Sequence, residues 1–192
     1  NTLANVLSII ALTRRRSTSL DSFADSLEGR IRALSATHDL LTQSEWGATP
    51  IRAILKAEMA PYAQDADRHL VLEGPDVDLA PNDALSLGLA IHELATNAAK
   101  YGALSVENGR VSVRWAMVAG NLARIEWREQ GGPPVAATGR RERGFGTDLI
   151  EKIVAHELRN PVDLRFDPEG VRCTLTVPVR QRGDFAIREG KS

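Results

Sequence analysis

Three polar side chains of different chemistry follow one another at helical spacing within residues 91–102. Glu93, Asn97 and Lys100 are four and three positions apart, so they share one face of a predicted helix. A carboxylate can accept a proton, an amide oxygen suits a hard cation, and an ammonium group suits a phosphate. This spacing indicates a metal–nucleotide site, but a solvated helix face with one internal ion pair fits the segment equally well.

A predicted strand further along the chain ends in a pair of glycines. Residues 122–129 alternate between apolar and charged side chains, which is the period of a half-buried strand. Glu129 stands at the end of this strand, and Gly131 and Gly132 follow it. Because glycines carry no side chain, the backbone after Glu129 can approach a ligand closely.

A second glycine segment leads into a predicted helix over residues 145–157. Gly144 and Gly146 are separated by one residue, and Arg143 and Thr147 flank them. A glycine loop that enters a helix directs backbone N–H groups and the positive end of the helix dipole at an anion. Two glycines alone usually make only a turn. The three elements in this order favour a nucleotide site over a solvated helix face.

The combined motifs resemble those of the HWE group of sensor histidine kinases, within the GHKL superfamily of Bergerat-fold ATP-binding proteins. The group is named after a His in the helix motif and a Trp-x-Glu before the glycines, and His92 and residues 127–129 match both. The resemblance extends over nearly the whole chain. Asn1 matches the Asn that closes the family's His-Arg-Val-Lys-Asn phosphoacceptor box. We therefore expect the phosphoacceptor histidine just upstream of Asn1, and no self-phosphorylation by the chain as printed.

The resemblance implies a role for each candidate residue. Glu93 would orient or deprotonate the incoming histidine, and Asn97 would bind the Mg²⁺ that bridges the phosphates of ATP. Lys100 would neutralise phosphate charge, and Glu129 would accept a hydrogen bond from the adenine amino group. The other expected ATP-binding residues are Gly131, Arg143, Gly144, Gly146 and Thr147. His92 lies about 100° around the helix from Glu93, so we expect it to pack or orient rather than to catalyse.

Residues 1–45 are predicted to form two helices with apolar seams. The first seam comprises Leu3, Val6, Leu7 and Ile10, and the second comprises Phe23, Leu27, Ile31, Leu34, His38 and Leu41. Two helices cannot bury both seams alone, so they must pack on the following domain or on a partner. A homodimer through a four-helix bundle is the natural solution. A histidine on such a seam is far more often a core residue than a phosphoacceptor.

The order of elements and the resemblance together predict the fold. We expect an α/β two-layer sandwich, the Bergerat ATP-binding fold, preceded by an antiparallel helical hairpin of the dimerisation and phosphotransfer type. The predicted boundaries are 1–48 for the partial hairpin, 49–180 for the catalytic ATP-binding domain and 181–192 for a flexible tail.

Composition narrows the function classes. The 192 residues carry a net charge of −1, with a pI near 6.5, so charge gives no case for nucleic acid or an anionic membrane. A single cysteine excludes an internal disulfide, and no cysteine–histidine spacing suggests a zinc site. Cys173 fits a small core residue of a strand. No apolar run is long enough to span a bilayer. We therefore expect a cytoplasmic chain with no direct membrane contact.

The expected function is that of a sensor histidine kinase core. ATP and Mg²⁺ are the implied cofactors, and the phosphoryl group would pass from histidine to an aspartate of a response-regulator receiver domain. An upstream sensor domain is a further implied partner. The alternatives are a GHKL serine kinase of the anti-sigma type, which does not need the helix pair, and a non-catalytic dimerisation scaffold.

Overall fold

Two long helices precede the α/β part of the chain. The structure, a computed structural model, describes residues 2–43, 47–62, 69–134 and 149–180. Helix α1 comprises Thr2–Arg16 and helix α2 comprises Leu20–Gln43. Ser19 begins α2, since its hydroxyl oxygen accepts a hydrogen bond from the backbone N–H of Ser22 at 3.1 Å. The predicted tail, 181–192, lies outside the described residues.

The α/β part interleaves helices and strands. Its helices are α3 at Ile51–Met59, α4 at Pro81–Tyr101, a π-helical turn at Leu149–Val154 and α5 at Ala155–Leu158. Single 3-10 turns follow α3 and α4, at Ala60–Tyr62 and Ala103–Ser105. The strands are β1 at Thr49–Pro50, β2 at Leu70–Glu73, β3 at Asp78–Leu79, β4 at Arg110–Val118, β5 at Leu122–Gln130, β6 at Asp163–Asp167 and β7 at Gly170–Pro178.

Five of these strands form one sheet in the order β2-β4-β5-β7-β6. Strand β2 pairs with β4 in parallel, and the helix α4 makes the crossover between them. The other pairs are antiparallel, with the β4–β5 hairpin turning at Gly120 and Asn121, both of which have positive φ. Strands β1 and β3 pair separately. The helices and this mixed sheet confirm the predicted α/β sandwich.

One core lies between the helices and the sheet. Ala123, Ile125 and Trp127 are each at most 1% exposed, as the alternation of β5 predicted. Leu87, Ile91 and Leu94 from α4 pack into the same cluster. The end of α2 joins this cluster through Leu41, which is fully buried, so the helical hairpin and the α/β part share a core.

The faces that the hairpin buries overlap only in part with the predicted seams. Among the residues of α1 whose burial the structure describes, Ile9 and Thr13 are buried, whereas Leu7 is 66% exposed. On α2 the predicted seam residue Ile31 is 39% exposed, and Arg30 is buried instead. The buried residues of α2 are Arg30, Ala33, Thr37 and Leu41. The seam prediction was therefore wrong in part, because apolar spacing alone did not reveal that polar residues of α2 meet carboxylates of the α/β part.

Candidate functional site

Helix α4 carries the first three candidate residues along its second half. The helix begins with Pro81 at its first position, where a missing N–H costs nothing, and it ends at Gly102. Glu93 is 3% exposed, Asn97 is half-buried and Lys100 is exposed. The stripe thus runs from the interior of the molecule to its surface. Within the described residues, the Asn97 and Lys100 side chains form no hydrogen bond or ion pair.

The Glu93 carboxylate meets an arginine of the helical hairpin. Nη2 of Arg30 donates a hydrogen bond to Oε2 of Glu93 at 3.0 Å, and Nε of Arg30 lies 2.8 Å from Oε1. The Nε contact is an ion pair without hydrogen-bond alignment. Nη1 of Arg30 also donates to the backbone carbonyl oxygen of Ser26 at 3.0 Å. Both side chains are nearly buried, at 8% and 4% exposure, so this is a buried ion pair between α2 and α4.

A second polar contact joins the same helices through α3. The hydroxyl of Thr37 on α2 donates to Oε1 of Glu58 at 3.3 Å, and Nδ1 of His92 on α4 lies 3.5 Å from Oε2 of Glu58. Glu58 is 4% exposed. Nε2 of His92 is so close to α2 that a Cβ added at Gly29 would lie 3.4 Å from it. His92 therefore packs between the hairpin and the α/β part.

The Glu129 carboxylate is bound inside the α/β part. Its Oε2 accepts a hydrogen bond from the backbone N–H of Ala103 at 2.9 Å, and its Oε1 accepts one from the indole N–H of Trp127 at 3.3 Å. Glu129 is 4% exposed. The carboxylate thus secures the backbone that follows α4 to the end of β5.

Glycines make this corner possible by letting backbones approach closely. A Cβ at Gly102 would lie 2.0 Å from Oε2 of Glu129, and one at Gly132 would lie 2.8 Å from the backbone nitrogen of Ala103. Gly131 has a φ of +70°, in the left-handed region that favours glycine. The structure therefore shows a packing reason for these glycines, and the ATP-binding role of Gly131 stays a prediction.

The other candidates fall into two groups. Arg143, Gly144, Gly146 and Thr147 lie outside the described residues. Arg30 was missed at sequence level, although a signal was present: an arginine at the spacing of Leu27, Leu34 and Leu41 is a charge on an otherwise apolar helix face. Among the described residues, three or more His, Cys, Asp or Glu side chains do not gather into a cluster that could hold a metal ion.

Two titratable groups outside this region respond to burial. Burial raises the pKa of the Asp83 carboxyl in the first turn of α4, against the lowering effect of Arg159 and Arg180. Burial also raises the pKa of the Cys173 thiol to about 12, with smaller contributions from the charges of Asp163 and Glu151. A thiol with so high a pKa is an inert core group, as the strand pattern predicted.

Comparisons with known proteins bear on the whole chain. The family described as HWE histidine kinase matches residues 1–76. The blue-light-activated histidine kinase 1 of Erythrobacter litoralis (strain HTCC2594) is 37% identical over 184 residues, which cover 94% of this chain. The blue-light-activated histidine kinase of Brucella anthropi is 36% identical over 182 residues, which cover 93% of it. The chain belongs to the HWE histidine kinase family.

The solved structures agree on the fold of this HWE family member. The histidine kinase domain of the Erythrobacter litoralis blue-light-activated histidine kinase EL346 superposes with a TM-score of 0.66 at 20% identity, covering 93% of this chain and 86% of that domain. The chain spans 51% and 37% of the lengths of the two relatives named above. In the part of the chain that the structure describes, every helix is too short or too polar to cross a bilayer.

Proposed function

We propose that this chain binds Mg–ATP and supports transfer of the γ-phosphoryl group to a histidine, for relay to an aspartate of a response-regulator receiver domain. The observation that carries the proposal is the stripe of α4, where a proton acceptor, an amide oxygen and an ammonium group follow one another from the interior to the surface. Membership of the histidine kinase family supports the same reaction.

The donor set fits a magnesium–nucleotide complex. Asn97 has a half-buried carboxamide that makes no hydrogen bond within the described residues, so its oxygen is available to a hard cation that keeps most of its waters. Lys100, one turn further along and exposed, supplies a positive charge for phosphate. When bound, ATP supplies the phosphoryl group and Mg²⁺ neutralises charge on its phosphates.

Glu93 is the proposed proton acceptor. In the proposed step, an imidazole nitrogen forms a bond to the γ-phosphorus while the bond from that phosphorus to the bridging oxygen of ADP breaks. The imidazole proton passes to the Glu93 carboxylate. The protein contributes mainly position and charge, since phosphoryl transfer needs little covalent chemistry from its side chains.

The role of Glu129 toward adenine remains a prediction. The carboxylate already accepts hydrogen bonds from the backbone N–H of Ala103 and from the indole N–H of Trp127. We propose that it also accepts one from the adenine amino group, whereas the carbonyl of guanine would be repelled there. Gly131, Arg143, Gly144, Gly146 and Thr147 complete the proposed nucleotide site.

The proposed partners are a receiver domain, an upstream sensor domain and a second copy of the hairpin. Exposed apolar side chains on the hairpin favour the last of these: Leu7 is 66% exposed, Leu20 is 79% exposed and Ile31 is 39% exposed. The α/β part leaves these side chains uncovered, and a second copy would bury them.

Calorimetry with nucleotide and magnesium tests the proposal. Wild-type protein should bind Mg–ATP, and Asn97→Ala should lose most of that binding because the cation loses its protein ligand. Asn108→Ala is the matched control, an exposed asparagine beyond the end of α4. ATP should also compete far better than GTP. Equal binding by wild type and Asn97→Ala would remove the magnesium assignment, and no binding at all would remove the proposed function.

A further inference from the structure

One face of α2 mixes apolar and polar residues at regular spacing. Leu27, Arg30, Leu34, Thr37 and Leu41 alternate at intervals of three and four, the spacing of a helix face that packs on a neighbouring helix. The leucines meet apolar residues, whereas Arg30 meets Glu93 and Thr37 meets Glu58. The hairpin is therefore held on α4 partly by carboxylates of the α/β part.

The Arg30–Glu93 pair leaves no room for chemistry at Glu93. Both carboxylate oxygens face the guanidinium, at 2.8 and 3.0 Å, and the residue is 3% exposed. An imidazole that is to give its proton to Glu93 must reach one of these oxygens within hydrogen-bond distance. As long as α2 covers α4 in this way, neither oxygen is accessible.

Stability alone does not explain a charge pair at this position. A buried ion pair seldom stabilises a fold more than well-packed apolar side chains of similar volume would, because both ions lose their hydration. Leucines fill the neighbouring positions of the same face, at 27 and 34. A charge pair differs from a leucine contact in one respect: when its two side chains separate, both ions regain water, so this pair costs less to open than a leucine costs to expose.

We propose that Arg30 is a positioning residue that holds Glu93 in a resting state, and that phosphoryl transfer requires α2 to shift against α4 near Arg30 so that this pair opens. The inference rests on the proposed function and adds its regulation. A signal that shifts the hairpin would release Glu93 as the proton acceptor. The Thr37–Glu58–His92 contact sets the register in which α2 returns, since it fixes α2 against α3 and α4 at a second point.

The test compares arginine variants in the native full-length chain. Arg30→Met removes the charge and keeps the apolar stem, and Arg30→Lys keeps the charge but loses the two-point contact. Arg32→Met is the matched control, because Arg32 lies on the same helix, is 78% exposed and pairs with Glu28 one turn before it. For each protein, the measurements are kcat for histidine phosphorylation at saturating Mg–ATP and the Kd for Mg–ATP.

Arg30→Met should raise kcat by about 5- to 50-fold, because a resting protein of this kind holds its minor open state at a low percentage. Arg30→Lys should give a smaller rise, Arg32→Met should match wild type, and Kd should be unchanged throughout. Normal nucleotide binding with an unchanged or lower kcat in Arg30→Met would overturn this inference alone. A lack of nucleotide binding in every protein would overturn the proposed function, and this inference with it.

Discussion

Two buried carboxylates, Glu93 and Glu129, differ in which part of the chain supplies their hydrogen-bond donors. They are 3% and 4% exposed, and each has both oxygens occupied by donors of the protein itself. The donors of Glu129 are a backbone N–H and an indole of its own α/β part. The donor of Glu93 is an arginine 63 positions away on the helical hairpin.

This difference separates a fixed contact from a movable one. Ala103 and Trp127 belong to the same core as Glu129, so the Glu129 contacts break only when that core unfolds. Arg30 leaves Glu93 when α2 shifts, and the two freed charges are then hydrated. Burial of an acidic residue therefore does not by itself separate a structural carboxylate from a catalytic one. What distinguishes Glu93, the proposed catalytic carboxylate, is that its partner Arg30 can move away.

The largest expected effect on stability is at Glu129. Glu129→Ala removes the acceptor of two buried donors, so it should lower the free energy of unfolding by about 2–4 kcal/mol. Glu126→Ala is the matched control on the same strand, where an exposed pair with Arg128 contributes little, and it should stay within about 0.5 kcal/mol of wild type. Urea denaturation measures both. Equal small effects would show that Glu129 does not secure this corner.

A smaller and more local effect is expected at Arg30. Arg30→Met should speed amide hydrogen exchange in α2 at least about tenfold, because an unpaired buried charge at Glu93 favours the open state. Amides of β4 and β5 should keep their wild-type protection, and Arg32→Met should alter neither region. Uniformly faster exchange over the whole chain would contradict the contrast between a movable Glu93 contact and fixed Glu129 contacts. It would show that the loss of Arg30 destabilises the whole core.

The smallest expected effect is at Asp83, which extends the comparison to a third, half-buried carboxyl. Because burial raises its pKa in the folded state, the ionised form costs stability that is absent when the group is protonated. The stability of wild type relative to Asp83→Asn should therefore be greatest below pH 3.8 and should fall as pH rises through the folded pKa. Denaturation midpoints of both proteins across pH 3–7 measure this. A difference that is constant with pH would contradict it.

The sequence was a good guide where local periodicity determines the structure. The helix predicted around Glu93, Asn97 and Lys100 is α4, Pro81–Tyr101, and the alternation over 122–129 correctly indicated β5. The placement of Glu93, Asn97 and Lys100 on one helix follows directly from their spacing.

The sequence did not reveal the contacts that depend on how the helices and strands pack against one another. No local pattern pairs Arg30 with Glu93, since the contact depends on how α2 lies across α4. The predicted seam through Ile31 and the buried face through Arg30 share Leu27, Leu34 and Leu41, so apolar spacing alone did not distinguish them. Likewise, Glu129 looked like a strand-end carboxylate facing a ligand, and only the fold shows the Ala103 N–H beside it.

The most direct test of Glu93 as proton acceptor is histidine phosphorylation by Glu93→Gln, with the acceptor histidine supplied on an intact helix pair of the HWE type. Glutamine keeps the size of the side chain but cannot take a proton at neutral pH. Nucleotide binding should persist, while phosphorylation at saturating Mg–ATP should slow by about 10²- to 10⁴-fold. A rate equal to that of wild type, with nucleotide bound, would contradict the assignment of Glu93.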